Sequence, residues 1–150
     1  MLSDERIGVR LENNGAEPCP VQMHDSREKQ PMAYIDGFLV PVPKKKLKAY
    51  AAIARKAGKI WREYGALDYQ ECVADDVSVG KWTSFPRSVK LKPDETVVFS
   101  YIIYKTRKDR DRINAKVMKD PRLAKMMDPK AMPFDMKRMI YGGFKTLVSV

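Results

Sequence analysis

Beyond position 32 the apolar residues fall into regular periods. Positions 33–42 are rich in aromatic and branched residues and run into Pro41 and Pro43, which predicts a first strand. Across 44–64, Leu47, Tyr50, Ala51, Ala54, Gly58 and Trp61 recur at spacings of three and four. Lys45, Lys48, Arg55, Lys59 and Arg62 take the opposite side, so this stretch predicts an amphipathic helix ended by Gly65. The apolar stripe is expected to be core. Positions 66–73 and 95–105 predict a second and a third strand. A second long helix opens on Thr106-Arg107-Lys108-Asp109, a capping-box spacing with Asp in place of Glu, and buries Ile113 and Val117. Asp120-Pro121 starts a short helix over 121–127, and 138–150 supplies a last strand.

The order βαββαβ predicts an α+β, ferredoxin-like domain: an antiparallel sheet with both helices on one face. The third strand adds a quaternary expectation. Val97-Val98-Phe99-Ser100-Tyr101-Ile102-Ile103-Tyr104 is apolar on both alternating sets, whereas a one-sided sheet would alternate. A second subunit is therefore expected to cover the other face, giving a homodimer with a barrel between the two sheets.

At 150 residues, 44% hydrophobic and 32% charged, the chain has the balance of one domain. No apolar run approaches the ~20 residues that span a bilayer, and nothing reads as a secretory signal or a disulfide framework, so a cytoplasmic protein is expected and no membrane partner. The net charge is +10, unevenly distributed. Positions 1–31 hold four bases and six acids and are broken by Asn13-Asn14-Gly15 and Pro18-Cys19-Pro20. They read as a poorly ordered tail, and Met32 as a candidate natural start with the tail as leader. The domain is then 32–150, at +12.

Leaving out the tail removes His24, the only histidine, and Cys19. A domain without histidine has no Ser-His-Asp or Cys-His nucleophile pair and no Cys/His zinc site, and Gly-rich phosphate loops and Ca²⁺ loops are missing too. No cofactor and no metal are expected. Cys72 reads as a half-buried strand residue rather than a nucleophile.

Several segments carry a family likeness: Tyr34-Ile35-Asp36-Gly37-Phe38, Lys56-Ala57-Gly58-Lys59-Ile60-Trp61, Gly65-Ala66-Leu67, Thr83-Ser84-Phe85-Pro86-Arg87-Ser88-Val89-Lys90-Leu91-Lys92-Pro93, Met118-Lys119-Asp120-Pro121-Arg122 and Lys137-Arg138-Met139-Ile140-Tyr141-Gly142-Gly143-Phe144. Together they resemble the small bacterial YbaA-like proteins, a family of unknown function, from position 32 to about the end of the chain. The resemblance implies a dimeric α/β-barrel and no established activity. Related barrel families include cofactor-free monooxygenases, lactone isomerases and haem-degrading enzymes, but their catalytic histidines have no counterpart here.

Asp36 stands in an apolar strand beside Tyr34 and Phe38 at spacing two, so the three share a face. An unpartnered buried carboxylate is costly, and Arg138, Lys145 or Arg87 are the candidate partners. Two readings follow: an ion pair at a strand edge or dimer contact, or a catalytic site of Asp36, Tyr34 and Arg138 in a pocket between sheet and helices. In the second, Asp36 is a general base or substrate anchor and Tyr69, Tyr101 or Tyr141 donates to a developing oxyanion. That site suits a small-molecule binding protein or a cofactor-independent enzyme of oxygenase or isomerase type.

The long connection 75–94 interleaves Lys81, Arg87, Lys90 and Lys92 with Trp82 and Phe85; Lys81, Trp82, Arg87 and Lys90 are candidate ligand or phosphate contacts. It could also cap the core or embrace a second subunit. Met118, Met126, Met127, Met132, Met136 and Met139 are clustered, either filling gaps or packing adaptably against a ligand. RNA binding through this loop and the outer helix faces is the alternative, although the third strand lacks an RNA-recognition signature and Arg107, Lys108 and Arg110 read as a solvated face. A structural dimer without catalysis is the remaining alternative.

Overall fold

A computed structural model describes residues 32–150; the expectations for the tail, His24 and Cys19 lie outside the described residues. Strand β1 spans Tyr34–Pro43 and leads through a short 3-10 turn into α1, Leu47–Glu63. Strand β2, Asp68–Val73, follows, then the one-turn helix α2, Phe85–Ser88, and strand β3, Glu95–Tyr104. Helices α3, Arg107–Met118, and α4, Pro121–Met126, precede β4, Ile140–Lys145. The strands form one antiparallel sheet in the order β2-β3-β1-β4. This is the ferredoxin-like arrangement that the βαββαβ order predicts.

The local causes of the two long helices are visible at their ends. Gly65 adopts φ +115°, the left-handed turn that ends α1 after Tyr64. Thr106 caps α3, its hydroxyl accepting the Asp109 N–H at 3.1 Å, and Asp120 caps α4 through the Arg122 N–H at 2.8 Å. Pro121 occupies the first turn of α4, where its missing N–H costs nothing.

Strand alternation then sorts the side chains into two sets. Tyr34, Asp36, Phe38, Val40 and Val42 of β1 face the helices, together with Val98, Ser100, Ile102 and Tyr104 of β3. Two apolar clusters form there, one around Ile60, Ile102, Tyr104, Ile113 and Val117, the other around Val40, Val42, Tyr50, Ala54 and Val98. The opposite set, with Leu39, Phe99 and Tyr101, faces away from α1, α3 and α4 and meets the one-turn α2, whose Phe85 ring lies against Phe99. Phe99, Ile140 and Phe144 on that face are 45%, 43% and 63% exposed.

Three local expectations change. Strand β4 covers Ile140–Lys145 rather than 138–150: Lys145 is the register partner of Tyr34, the first residue of β1, and one further backbone bond, from the Thr146 N–H to the Ala33 carbonyl at 3.2 Å, follows it. Cys72 is exposed, since it sits on the face of the edge strand β2 turned away from α1 and α3. Ala51 is solvent-facing, while Ala57 and Ile60 are buried. The 75–94 connection folds on itself: Arg87 donates to the carbonyls of Val79 and Gly80, the latter at φ +62°. Among the described residues no helix is long and apolar enough to cross a membrane.

Candidate functional site

Helices α1, α3 and α4 do not close fully over the sheet. Between them and β1–β3 lies a cavity of about 450 Å³, mostly apolar, with two polar groups on its floor. Its size is in the range of small-molecule sites.

The first polar group is built around Asp36. Arg110 of α3 donates from Nε to Asp36 Oδ1 at 3.0 Å and from Nη2 to the Tyr34 hydroxyl at 3.1 Å. Its guanidinium also lies over the Tyr34 ring, 4.9 Å from the centroid. Asn114, one helical turn on, donates to Asp36 Oδ2 at 3.3 Å and accepts from Trp61 Nε1 and the Tyr104 hydroxyl, both at 2.9 Å. Burial, and then the Asp36 charge, push the Tyr104 hydroxyl well above its ordinary range, so it stays a donor. Burial works against the Arg110 cation, but Asp36, Tyr34 and Asp111 more than offset this and raise its pKa. Gly143 of β4 makes the approach possible: a Cβ there would collide with Arg110 Nη2 and the Tyr34 hydroxyl.

The second group is centred on Glu71 of β2. Its carboxylate accepts from the Tyr50 hydroxyl at 2.7 Å and from Ser100 Oγ at 2.6 Å, both on Oε2, and from the Tyr69 hydroxyl at 2.7 Å on Oε1. Burial first, then the adjoining carboxylate, push both tyrosine hydroxyls far above their ordinary value, which holds them protonated. None of the ion pairs among the described residues includes Glu71. Gly58 of α1 lets the Tyr69 ring lie flat against the helix, where an added Cβ would come within 2.6 Å of it.

Met118, Met127, Met132, Met136 and Met139 line the cavity with Phe38, Phe134 and Tyr141. The methionine cluster thus faces a space, while Met126 packs into the core. The α1 stripe has a double role: Tyr50, Ala54, Ala57 and Trp61 belong to core clusters and also border the cavity.

The sequence-predicted residues are partly brought together. Asp36 lines the cavity and is joined to Tyr34 through Arg110, so the partner is Arg110 rather than Arg138, Lys145 or Arg87. Arg138 instead grips Glu95 with Nη1 at 2.7 Å, together with Asp135 and the Lys90 carbonyl. Lys145 ends β4, and Arg87 is spent within its own loop. Tyr69 and Tyr141 line the cavity, whereas Tyr101 is on the other face of the sheet. Lys81, Trp82 and Lys90 are exposed, Trp82 at 94%. Among the described residues no group of three or more His, Cys, Asp and Glu could hold a metal ion.

The family described as "Protein of unknown function (DUF1428)" matches residues 33–136. The chain belongs to this YbaA-like family. An "Uncharacterized protein YbaA" from Escherichia coli (strain K12) is 48% identical over 117 residues, covering 78% of this chain and 98% of that protein. The same figures hold for the protein of that description from Shigella flexneri. A solved structure described as a dimeric ferredoxin-like protein, from an uncultured marine organism, aligns with a TM-score of 0.50 over 79% of this chain and 99% of the other at 11% identity. That likeness concerns the fold. The roles of cavity residues in this YbaA-like chain must therefore be argued from its own geometry.

Four contributors escaped the sequence reading: Glu71, Ser100, Arg110 and Asn114. Arg110 stands three and seven positions before the buried Ile113 and Val117, a spacing that puts it on the inward face of α3. Asn114 follows it by one turn. Glu71 shares a face with Tyr69 at spacing two, and Ser100 breaks the apolar set of β3. Their meeting needs the β2–β3 register, in which Glu71 opposes Ser100.

Proposed function

We propose that this protein binds a small, largely apolar molecule in the cavity between the helices and the sheet. The observation that carries the reading is an aromatic- and methionine-lined space with a carboxylate on its floor held by three hydroxyls. Apolar walls with few, oriented polar groups are what small-molecule sites are made of. Asp36, neutralised by Arg110, serves as a fixed part of the wall, and Glu71 is the group left to meet a ligand. Were the bound molecule also converted without a cofactor, as in an oxygenase or isomerase, Glu71 would be the proton acceptor and Tyr141 the donor nearest solvent.

N-phenyl-1-naphthylamine, an uncharged dye that brightens in apolar surroundings, tests the reading. Saturable binding of one dye per chain is expected, lost when Ala54→Phe fills the cavity. Absence of binding, or binding unchanged in the filled variant, would overturn it.

We further propose that two copies pair through the sheet face turned away from α1, α3 and α4, with Phe99, Ile140 and Phe144 at the contact. The dimeric description of the marine ferredoxin-like protein supports this assignment. Phe85 on α2 extends the same apolar surface, its ring meeting Phe99 edge-on at 6.3 Å. RNA binding has weaker support, because Arg87 donates to the carbonyls of its own loop and Arg110 is turned inward to Asp36.

A further inference from the structure

The cavity has a sign of charge opposite to the whole chain. The sequence carries a net +10, yet the charged groups lining the cavity are two carboxylates, Asp36 and Glu71, and one guanidinium, Arg110. Arg110 is committed to Asp36, so the uncompensated charge is that of Glu71.

An ionised carboxylate only accepts hydrogen bonds and offers about four lone-pair positions. Tyr50 and Ser100 occupy both positions on Oε2, and Tyr69 occupies one on Oε1. One acceptor position on Oε1 is left. Three neutral hydroxyls orient the carboxylate without cancelling its charge, and charges withdrawn from water normally acquire a counter-charge. The surrounding walls suit a cation as well. The rings of Tyr50 and Tyr69, whose hydroxyls reach Glu71, line the cavity with Trp61, 6.2 Å from Tyr69 between centroids, and aromatic faces attract ammonium groups. Methionine side chains adapt to an irregular hydrocarbon body.

We infer that the ligand is a hydrophobic organic amine, its ammonium donating to Glu71 and its apolar body lying among the methionines. The inference rests on the proposed small-molecule reading and adds the charge of the ligand.

Three probes with one ring system separate the two ideas: 2-(1-naphthyl)ethylamine, 2-(1-naphthyl)ethanol and 1-naphthylacetate, titrated calorimetrically into the full chain. The amine is expected to bind at least about tenfold more tightly than the alcohol, with the carboxylate weakest, as a charge-assisted hydrogen bond should give. Glu71→Gln, nearly isosteric, should bring the amine down to the affinity of the alcohol while leaving the alcohol within about threefold of its original affinity. Equal binding of amine and alcohol in the unaltered chain, or an amine preference that survives Glu71→Gln, would overturn the amine assignment and leave the cavity reading standing. Failure of all three probes to bind would overturn both. The comparison within the unaltered chain does not depend on how the variant folds.

Discussion

Asp36 shows how a single carboxylate is held inside this sheet. It is 7% exposed, and three residues from two elements hold its surroundings: Arg110 and Asn114 on α3, Tyr34 on β1. Removing one partner of a buried pair strands the other charge, which costs more than the pair contributes. Arg110→Ala is expected to destabilise the domain by about 3 kcal/mol, and Asp36→Asn in the same background to recover much of that loss. Urea unfolding of the single and double variants measures it. A cost for Arg110→Ala under about 0.5 kcal/mol, as at an exposed salt bridge, would mean that Asp36 is solvated.

Between elements, Arg138 is the joint. It ties the first residue of β3, Glu95, to Asp135 in the turn before β4 and to the carbonyls of Val89 and Lys90 at the end of the long connection. Hydrogen bonds from Arg138 hold the Glu95 carboxyl below its ordinary 4.5 against the opposing effect of burial, with the Lys92 N–H assisting. Asp135 is lowered mainly by the same guanidinium. Folded-state values below the unfolded ones favour the folded form above the ordinary carboxylate range, and this contribution fades as pH falls through the folded-state values. The melting temperature is therefore expected to drop as pH is lowered from 4.5, and more shallowly in Glu95→Gln. Parallel profiles for the two proteins would show that the joint carries no pH-dependent stability.

The elements themselves were legible in the sequence because their signals are local. The α1 stripe, the Thr106 and Asp120 caps and the Gly65 stop each lie within a few residues, and the structure places them there. The site was half legible. Asp36 stood out as a charge in an apolar strand, and the methionine cluster as a compositional bias. Its partner was misread because Arg138 and Arg110 are chemically alike, and only tertiary packing separates a guanidinium facing Asp36 from one facing Glu95. Glu71 was missed because β2 is an edge strand with polar residues on both faces, where a glutamate attracts no notice until Ser100 and Tyr50 are seen to donate to it.

For the whole molecule, among the described residues, a sheet covered by α1, α3 and α4 on one face and aromatic on the other presents two surfaces a function can use. The helix side carries the cavity, the open side the proposed subunit contact. A chain of 17.2 kDa should then scatter light as a species of about twice that mass, and Phe144→Lys should halve it without loss of helical circular dichroism. A monomer in the unaltered protein would remove the contact. The basic charge, +10 over the whole chain, then belongs to the outside and not to the cavity.

Nuclear magnetic resonance of methionine methyl groups reads occupancy of the cavity itself, because five of the nine methionines line it. Titration with 2-(1-naphthyl)ethylamine should move the Met118, Met127, Met132, Met136 and Met139 signals together along one saturation curve and leave Met32 in place. Cavity methyls that stay fixed at saturating probe would mean that the cavity takes no such ligand.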